Sequence, residues 1–409
     1  MRSHGRQRDR AAHGTARRTR VSAGTRGAAL ASGAALVVAL ATALAAPVGA
    51  ASGTAAARSP QPVRSSPAPQ SPQTPPSAGA GERVRSITIF DRVELSFEGP
   101  DAPKTKDATA PRGELLIRDR GQTADRTLRL PPEPDAREAM SVTGLVIVEP
   151  IVDPKLAPRP GDPWTRVGSV AVVMPMGGGR PPLQVELMRF VTGFGAASRY
   201  EADLTPFLPV LWGERTFRAH LDTWKAPGWR VTFELRYEPG AAGIRRPTMV
   251  VPLFDEPRVT RGASVVQGSF TLLPGLDRPR LRILTTGHGS ELGDEFRPRT
   301  HVVRVDGVEV ARWRPWREDG AGSRSSSPWA ERRTVDGREV WASDADRSGW
   351  VPGRIVEPFI LPLDELRPGS HRVEVEVIDI RATPEDQPPD HWRLSACVVA
   401  DEAWPKPVR

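Results

Sequence analysis

The alternation of apolar and polar residues at a period of two constrains this fold more than any other feature of the sequence. It is clearest over residues 230–237 (RVTFELRY) and 372–377 (RVEVEV). Such alternation is typical of β-strands with one face in a core and one face in solvent. Asp306-Gly307 predicts a two-residue hairpin turn. Further strands are predicted over 142–148, 169–173, 184–190, 216–221, 280–284 and 301–305.

Gly and Pro separate these short strands, and no long amphipathic helical pattern competes with them. The sequence therefore predicts an all-β protein of the sandwich or jelly-roll type. A chain of 409 residues is too long for one compact core. Residues 239–262 are rich in Pro, Gly and Arg, which predicts a boundary between two β domains at 83–250 and 251–405.

The first fifty residues have the layout of a secretory signal peptide. Residues 1–26 contain eight arginines, and an apolar run rich in Ala, Leu and Val follows over 28–46. This pattern predicts export and a secreted protein. The run approaches the length of a membrane span, so an uncleaved anchor is the alternative, and only that alternative would place the protein on a membrane.

Residues 51–82 consist mainly of Pro, Ser, Ala, Gln and Gly, a composition typical of a disordered linker. Residues 1–81 contain ten arginines and a single acidic residue, whereas the whole chain has a net charge of +8. The remaining residues are therefore close to neutral. This distribution argues against a nucleic-acid partner, because the basic excess lies in the segment predicted to be removed.

The sequence contains none of the common catalytic or metal-binding motifs, such as G-x-S-x-G, a phosphate-binding glycine loop, H-E-x-x-H or a cysteine cluster. The single cysteine, Cys397, lies in an apolar run and is predicted to be a buried core thiol. We expect neither a metal nor a cofactor. The histidines of the predicted domains are scattered singly at 220, 288, 301, 371 and 391.

Three stretches in the second half concentrate carboxylates, arginines and tryptophans in predicted loops. They read TTGHGSELGDEFRPRTHVVRVDG, PWRED and DADRSGWVPG. Loops on a rigid sandwich can hold a sugar, with tryptophan stacked on the ring and arginine or glutamate bonded to its hydroxyls. The alternative is that these loops are simply solvated and that their tryptophans fill the core.

This block resembles the C-terminal domain of the peptide:N-glycosidase F family. The resemblance rests on Glu295-Phe296, on R-T-H at 299–301 and on the string DRSGWVPG at 346–353. The first half of the sequence resembles the same family less strongly. Its matching segments are ITIFDRV from residue 87, W-x-R at 164–166, residues 186–190 and residues 222–224.

The resemblance implies two antiparallel eight-stranded jelly-roll domains side by side, with a glycan cleft between them. It further implies hydrolysis of the amide that joins the first N-acetylglucosamine of an N-glycan to asparagine. By position it assigns a catalytic role to Glu295 and a supporting catalytic role to Asp222. The residues that it places along the sugar site are Trp164, Arg166, Trp224 and Arg347.

One position departs from the family pattern. The family has its principal catalytic aspartate between the tryptophan and the arginine of W-x-R, where this sequence has Thr165. A threonine hydroxyl is no general base without a partner that takes its proton. Asp162 is the nearest replacement in sequence. The cysteines that form disulfides near these loops in the family are also missing.

Three functions therefore stay open. The first is an amidase acting on N-linked glycoproteins or glycopeptides as a monomer, with Glu295 as main acid and base and Asp162 or Asp222 in place of the missing carboxylate. The second is a secreted glycan-binding module that has lost hydrolysis. The third and most distant is a copper-dependent monooxygenase on a similar double jelly roll, against which the scattered His and Met residues argue.

Overall fold

The computed structural model describes eight ranges of the chain. The predicted signal peptide (1–50) and linker (51–82) lie outside the described residues. No helix within the described part has the length and apolar character needed to cross a membrane. The described ranges are 84–99, 112–133, 140–176, 180–240, 245–289, 293–335, 337–383 and 389–403.

The first half of the chain is an antiparallel sandwich of two sheets. One sheet has the strand order β1-β9-β4-β7 and the other the order β2-β3-β8-β5-β6, which makes nine described strands. Short 3-10 helices connect some of them, at Asp119–Gly121 and Thr205–Val210. The strands are β1 Arg85–Leu95, β2 Leu115–Arg118, β3 Thr123–Arg129, β4 Met140–Pro150, β5 Val167–Met174, β6 Leu183–Val191, β7 Ser198–Asp203, β8 Glu214–Leu221 and β9 Trp229–Pro239.

The second half is another antiparallel sandwich, with sheets β10-β19-β12-β17 and β11-β18-β13-β14. A separate hairpin, β15-β16, follows a 3-10 helix at Gly320–Ser326. The strands are β10 Pro247–Val259, β11 Val265–Leu272, β12 Leu276–His288, β13 Thr300–Val305, β14 Val308–Trp313, β15 Arg332–Val335, β16 Arg338–Trp341, β17 Phe359–Pro362, β18 Gly369–Ile378 and β19 His391–Glu402.

The predicted all-β jelly-roll fold is confirmed. Every strand predicted from alternation lies within an observed strand, and the predicted hairpin joins β13 to β14. Its two turn residues, Asp306 and Gly307, have φ of 51° and 83°, as a tight hairpin turn requires. The division at 250–251 stays a prediction; β10, the first strand of the second sandwich, already begins at Pro247.

The junction between the sandwiches is partly apolar. Cys397 on β19 is buried and packs with the core residues of the first sandwich. Burial raises the pKa of its thiol to about 11. The prediction of a buried core thiol is confirmed, since a neutral thiol in apolar surroundings behaves as a small hydrophobic side chain.

Two histidines, the buried His301 and the half-buried His220, make the folded state sensitive to acid. His220 bonds to the Thr123 hydroxyl at 2.9 Å and His301 to the Thr285 hydroxyl at 2.9 Å. Burial lowers the pKa of each of these two histidines from 6.5 to about 3. In the unfolded chain each takes up a proton near pH 6.5, whereas in the folded chain each stays neutral until about pH 3. Their stabilisation is therefore present above pH 6.5 and is lost as the pH falls from 6.5 toward 3.

We expect the thermal midpoint to fall steadily as the pH is lowered from 7 to 5, because each histidine contributes up to about 1.4 kcal/mol per pH unit. Calorimetry of the wild type and of His301→Gln measures the thermal midpoint at each pH. The midpoint of the variant should fall less steeply as the pH is lowered. His371, whose pKa is raised by its bonds to Asp306 and to the Arg367 carbonyl despite partial burial, gives the control variant His371→Gln. A flat profile for the wild type would contradict the expectation.

Candidate functional site

The loop before β5 holds an arginine in place with a fully buried carboxylate. Asp162 accepts hydrogen bonds from Nε and Nη2 of Arg166 at 2.8 and 2.9 Å. It also accepts from the Thr223 hydroxyl at 2.6 Å and from Nε1 of Trp229 at 3.2 Å. The side chain of Asp162 has no exposed surface. Asp162 therefore fixes the position of the Arg166 guanidinium, and the catalytic role predicted for Asp162 stays a prediction.

Two exposed indoles flank this corner. Trp164 is 36% exposed, and Trp224 is 51% exposed and packs against Phe97 with ring centroids 5.1 Å apart. Thr165, between Trp164 and Arg166, is half-buried. Exposed aromatic faces beside a fixed guanidinium suit a sugar ring and its polar substituents.

Asp222 follows the last residue of β8 and is half-buried. Burial raises the pKa of its carboxyl, although the charges of Arg166, Arg393 and Arg258 and a hydrogen bond from the Trp224 side chain act in the opposite direction. The carboxyl therefore lies next to the fixed Arg166 corner and holds a proton more readily than an exposed aspartate. An elevated pKa in such a setting is typical of groups that exchange protons during a reaction.

Glu295 presents a second carboxyl, from the second sandwich. Nε of Arg347 donates a hydrogen bond to its Oε1 at 3.3 Å, and 19% of the side chain is exposed. Burial raises the pKa of Glu295, the charges of Arg347 and Arg333 lower it, and Asp390 raises it further; the pKa stays above its ordinary value. In the described residues no hydrogen bond joins Asp222 to Glu295, so the two carboxyls are separate groups.

Arg347 is held rigidly. Its Nη1 donates to the Ala345 carbonyl at 2.7 Å, and its Nη2 donates to the Ala342 carbonyl. The guanidinium lies 4.8 Å from the ring centroid of Trp350 and 5.1 Å from that of Phe296. A cation held by three hydrogen bonds and by contacts with two aromatic rings has a defined position beside Glu295, as a catalytic or binding group requires.

The backbone conformation of the string DRSGWVPG, which contains Arg347, requires glycine at two positions. Gly349 and Gly353 have φ of +82° and +73°. A Cβ on Gly349 would lie 2.7 Å from the Thr285 carbonyl oxygen, which leaves no room for a side chain. At the end of the string, the Gly353 amide donates to the Val191 carbonyl at 2.9 Å, and so connects this loop to β6 of the first sandwich.

Arg333 on β15 lies between the residues around Trp164 and the pair Glu295 and Arg347. Its guanidinium lies 5.3 Å from the ring centroid of Trp164, and its charge lowers the pKa of both Glu295 and Arg347. The structure thus brings Trp164 and Arg166 of the first sandwich to the same side of the molecule as Glu295 and Arg347 of the second. Sequence reasoning missed Arg333, because it lies in a hairpin outside every recognisable motif.

A second group that sequence reasoning missed is a buried ionic network between the sandwiches. Nε and Nη2 of Arg189 donate to the two carboxylate oxygens of Glu186 at 2.8 and 2.6 Å. Arg189 also donates to the Arg393 carbonyl at 2.7 Å, and the Ser395 hydroxyl donates to Glu186. Burial opposes ionisation of Glu186, but the charges of Arg189 and Arg393 and these hydrogen bonds lower its pKa to about 2.

No set of three or more His, Cys, Asp and Glu side chains in the described ranges is arranged to hold a metal ion. The candidate site consists instead of two carboxyls, fixed arginines and exposed indoles.

A protein-family model described as "Peptide-N-glycosidase F, C terminal" matches residues 258–399, the region that contains Glu295 and Arg347. The second sandwich therefore matches the C-terminal domain of the peptide-N-glycosidase F family. No curated protein sequence matches it significantly.

Solved structures support the same family fold over both sandwiches. PNGF-II, in a C2 crystal form, is 22% identical with a TM-score of 0.65, over 80% of this chain and 66% of that one. PNGase F, described as a glycosylasparaginase from Flavobacterium meningosepticum, is 17% identical with a TM-score of 0.58, over 79% of this chain and 97% of that one. This chain therefore spans slightly less than two thirds of PNGF-II and nearly all of PNGase F.

Proposed function

We propose that this protein is a secreted amidase that hydrolyses the bond between an N-linked glycan and asparagine. The observation that carries the proposal is the Glu295 carboxyl, which has an elevated pKa and is bonded to the rigid Arg347 within the matched family domain. The predicted signal peptide supports secretion, and the expected partner is an N-linked glycoprotein or glycopeptide. The proposed active form is the monomer.

The reaction adds water across the amide C–N bond, so one proton must leave the water and one must reach the departing sugar amine. Ionised Glu295 takes the proton from the attacking water and then returns it to the leaving nitrogen. The fixed guanidinium of Arg347 stabilises negative charge beside this carboxylate. Trp164 and Trp224 offer faces for the sugar ring, and Asp162 keeps Arg166 directed toward it.

A glycan-binding module without hydrolysis is the second candidate, and Thr165 favours it. The family's principal aspartate is missing there, and Asp162 is too fully bonded to replace it. Asp222 is the other acid close to this corner, and its elevated pKa fits a proton-exchanging role. The two candidates share the sugar-binding surface and differ only in turnover.

Glycan release by the wild type separates these candidates, and restoring the carboxylate tests the site that they share. We expect Thr165→Asp to raise the rate of glycan release from a denatured N-glycoprotein by about 10²-fold, the lower range for general acid and base catalysis. Mass spectrometry of the released glycan and of the asparagine that becomes aspartate measures the rate. Thr165→Asn is the control, because it has the same shape without a base. An unchanged rate in the Asp variant, with glycopeptide binding retained, would contradict the proposed site.

A further inference from the structure

Two histidines form a pair at one end of the ladder between β12 and β19. His288 is the last residue of β12, and His391 is the first residue of β19. The two residues lie directly opposite each other in this antiparallel ladder, so their side chains project from the same face of the sheet. Their ring centroids are 5.3 Å apart. The strand register thus brings together two imidazoles that are far apart in sequence.

Each imidazole is oriented by a hydrogen bond through one of its two nitrogens. Nδ1 of His391 lies 3.2 Å from the Pro389 carbonyl oxygen, which can only accept, so this nitrogen carries the proton. Nε2 of His288 lies 2.9 Å from the Thr286 hydroxyl, which can accept a proton from it. The other nitrogens, Nε2 of His391 and Nδ1 of His288, have no hydrogen-bond partner among the residues that the structure describes. A histidine that binds a metal typically has one nitrogen bonded to the protein in this way and the other free for the ion.

The surroundings hold the pair in position. The ring of His288 stacks on Trp350, with centroids 6.0 Å apart and an angle of 27° between the planes. Nε1 of Trp350 donates to the Gly287 carbonyl at 2.9 Å, and Nη1 of Arg189 donates to the Thr286 hydroxyl at 3.2 Å. A site whose ligands are fixed before binding loses little conformational entropy when the ion arrives.

Both rings are neutral at pH 7 and remain accessible. Burial lowers the pKa of His288 well below its ordinary value of 6.5 and lowers that of His391 to about 4. Both residues are nevertheless only half-buried, so a hydrated ion can approach them. Metal ions bind neutral imidazole and compete with protons for it, so a lowered pKa favours binding at neutral pH.

The charges around the pair are largely compensated or screened. Arg189 is neutralised by its bidentate ion pair with Glu186, and Arg393 lies 3.9 Å from the same carboxylate. Arg258 is exposed, so salt screens its repulsion of a bound cation. The charged side chains that shift the two pKa values are Arg258, Arg189 and Arg393 and, for His391 alone, Asp294.

We propose that His288 and His391 form a binding site for a divalent transition-metal ion such as Zn²⁺, with Nδ1 of His288 and Nε2 of His391 as ligands and water in the remaining positions. Imidazole nitrogen suits Zn²⁺ and Ni²⁺, whereas Mg²⁺ prefers oxygen ligands. A zinc–nitrogen bond is about 2.0–2.1 Å long, so one ion can reach a nitrogen of each ring at the observed separation. The ion would join the end of β12 to the start of β19 and stabilise the folded chain. The site is independent of the proposed amidase function, and its test uses binding alone.

Calorimetric titration of the full chain with Zn²⁺, Ni²⁺ and Mg²⁺ at neutral pH tests this site. We expect Zn²⁺ and Ni²⁺ to bind and Mg²⁺ to give no binding heat. His391→Gln should weaken Zn²⁺ binding by about tenfold or more, because even the partners of metal ligands contribute about 10- to 100-fold to affinity. His288→Gln should have the same effect, and circular dichroism checks that each variant is folded.

His371→Gln is the matched control. His371 is also half-buried, but Nδ1 is bonded to Asp306 at 2.8 Å and Nε2 to the Arg367 carbonyl at 2.8 Å. It has no free nitrogen for an ion, so Zn²⁺ affinity should be unchanged in this variant. Wild-type affinity for Zn²⁺ in both His288→Gln and His391→Gln, an equal loss in His371→Gln, or equal binding of Zn²⁺ and Mg²⁺ would overturn the site.

Discussion

Glu295→Gln is expected to lower the rate of glycan release by about 10²- to 10⁴-fold, the usual contribution of a general acid and base. The amide keeps the shape of the side chain and can still bond to Arg347, so binding of the glycopeptide should change little. The loss should therefore appear in kcat and not in KM. Initial rates of glycan release, followed by mass spectrometry over a range of glycopeptide concentrations, measure both constants.

The pH dependence of kcat/KM tests whether Glu295 is the group that accepts the proton of the attacking water. Since Glu295 must be ionised to accept the water proton and its pKa is raised by burial, kcat/KM should rise with pH through a value above the ordinary 4.5 of glutamate. Arg333→Gln removes a charge that lowers this pKa, so the acid limb should move to higher pH. Glu339→Gln, which removes an exposed carboxyl on β16, is the control and should leave the profile in place. Unchanged kcat in Glu295→Gln would exclude the assigned role.

Glu186→Ala is expected to destabilise the protein by about 3–5 kcal/mol, the usual cost of removing one partner of a buried ion pair. The substitution leaves the Arg189 guanidinium without its carboxylate, in a position where its side chain has no exposed surface. It also removes the acceptor of the Ser395 hydroxyl on β19 of the other sandwich. Urea-induced unfolding, followed by tryptophan fluorescence, measures the loss.

The matched control is Glu201→Ala. Glu201 lies 3.3 Å from Arg199, but about half of each side chain is exposed, so the expected change is about 0–1 kcal/mol. The folded-state pKa of Glu186 is about 2, below the ordinary 4.5, so its stabilisation is present above pH 4.5 and is lost as the pH falls toward 2. Equal losses for the two variants would contradict the assignment of Glu186 to the junction.

Strands such as β9 and β18 could be predicted because one face of each is buried in a core and the other is less buried, and the alternation of residue types follows this difference. The turn at Asp306-Gly307 could be predicted because only a few residue pairs tolerate positive φ at both positions. The buried state of Cys397 followed from its apolar neighbours. These properties are local, so a short stretch of sequence contains all the information they require.

The Glu186–Arg189 network could not be predicted in this way. Strict alternation places residues three apart on opposite faces of a strand. The pairing of β5 with β6 shifts between Val170 and Ala171, which leaves Leu187 as an extra residue. This bulge turns Glu186 and Arg189 to the same side. A register shift depends on the partner strand, so the sequence of β6 alone contains no sign of it.

The contacts of Asp162 could not be predicted for a related reason. Its distance of three residues from Thr165 suggested a replacement carboxylate, but its partners Thr223 and Trp229 are distant in sequence. Asp294 of the second sandwich shows the same arrangement, with hydrogen bonds from Arg299 at 2.7 Å and from Trp392 at 2.9 Å. In both sandwiches a buried aspartate joins an arginine of its own loop to a tryptophan at the start of the last strand. Proximity in sequence gave no information about these contacts.

The central claim is that this protein cleaves the amide between an N-glycan and asparagine. The most direct test is incubation of the purified protein with a denatured N-glycoprotein in ¹⁸O-labelled water, followed by mass spectrometry of the peptides. We expect the former glycosylation site to appear as aspartate carrying one ¹⁸O atom, and the intact glycan to be released. Asparagine that still carries the intact glycan would contradict the claim and leave a protein that only binds glycans.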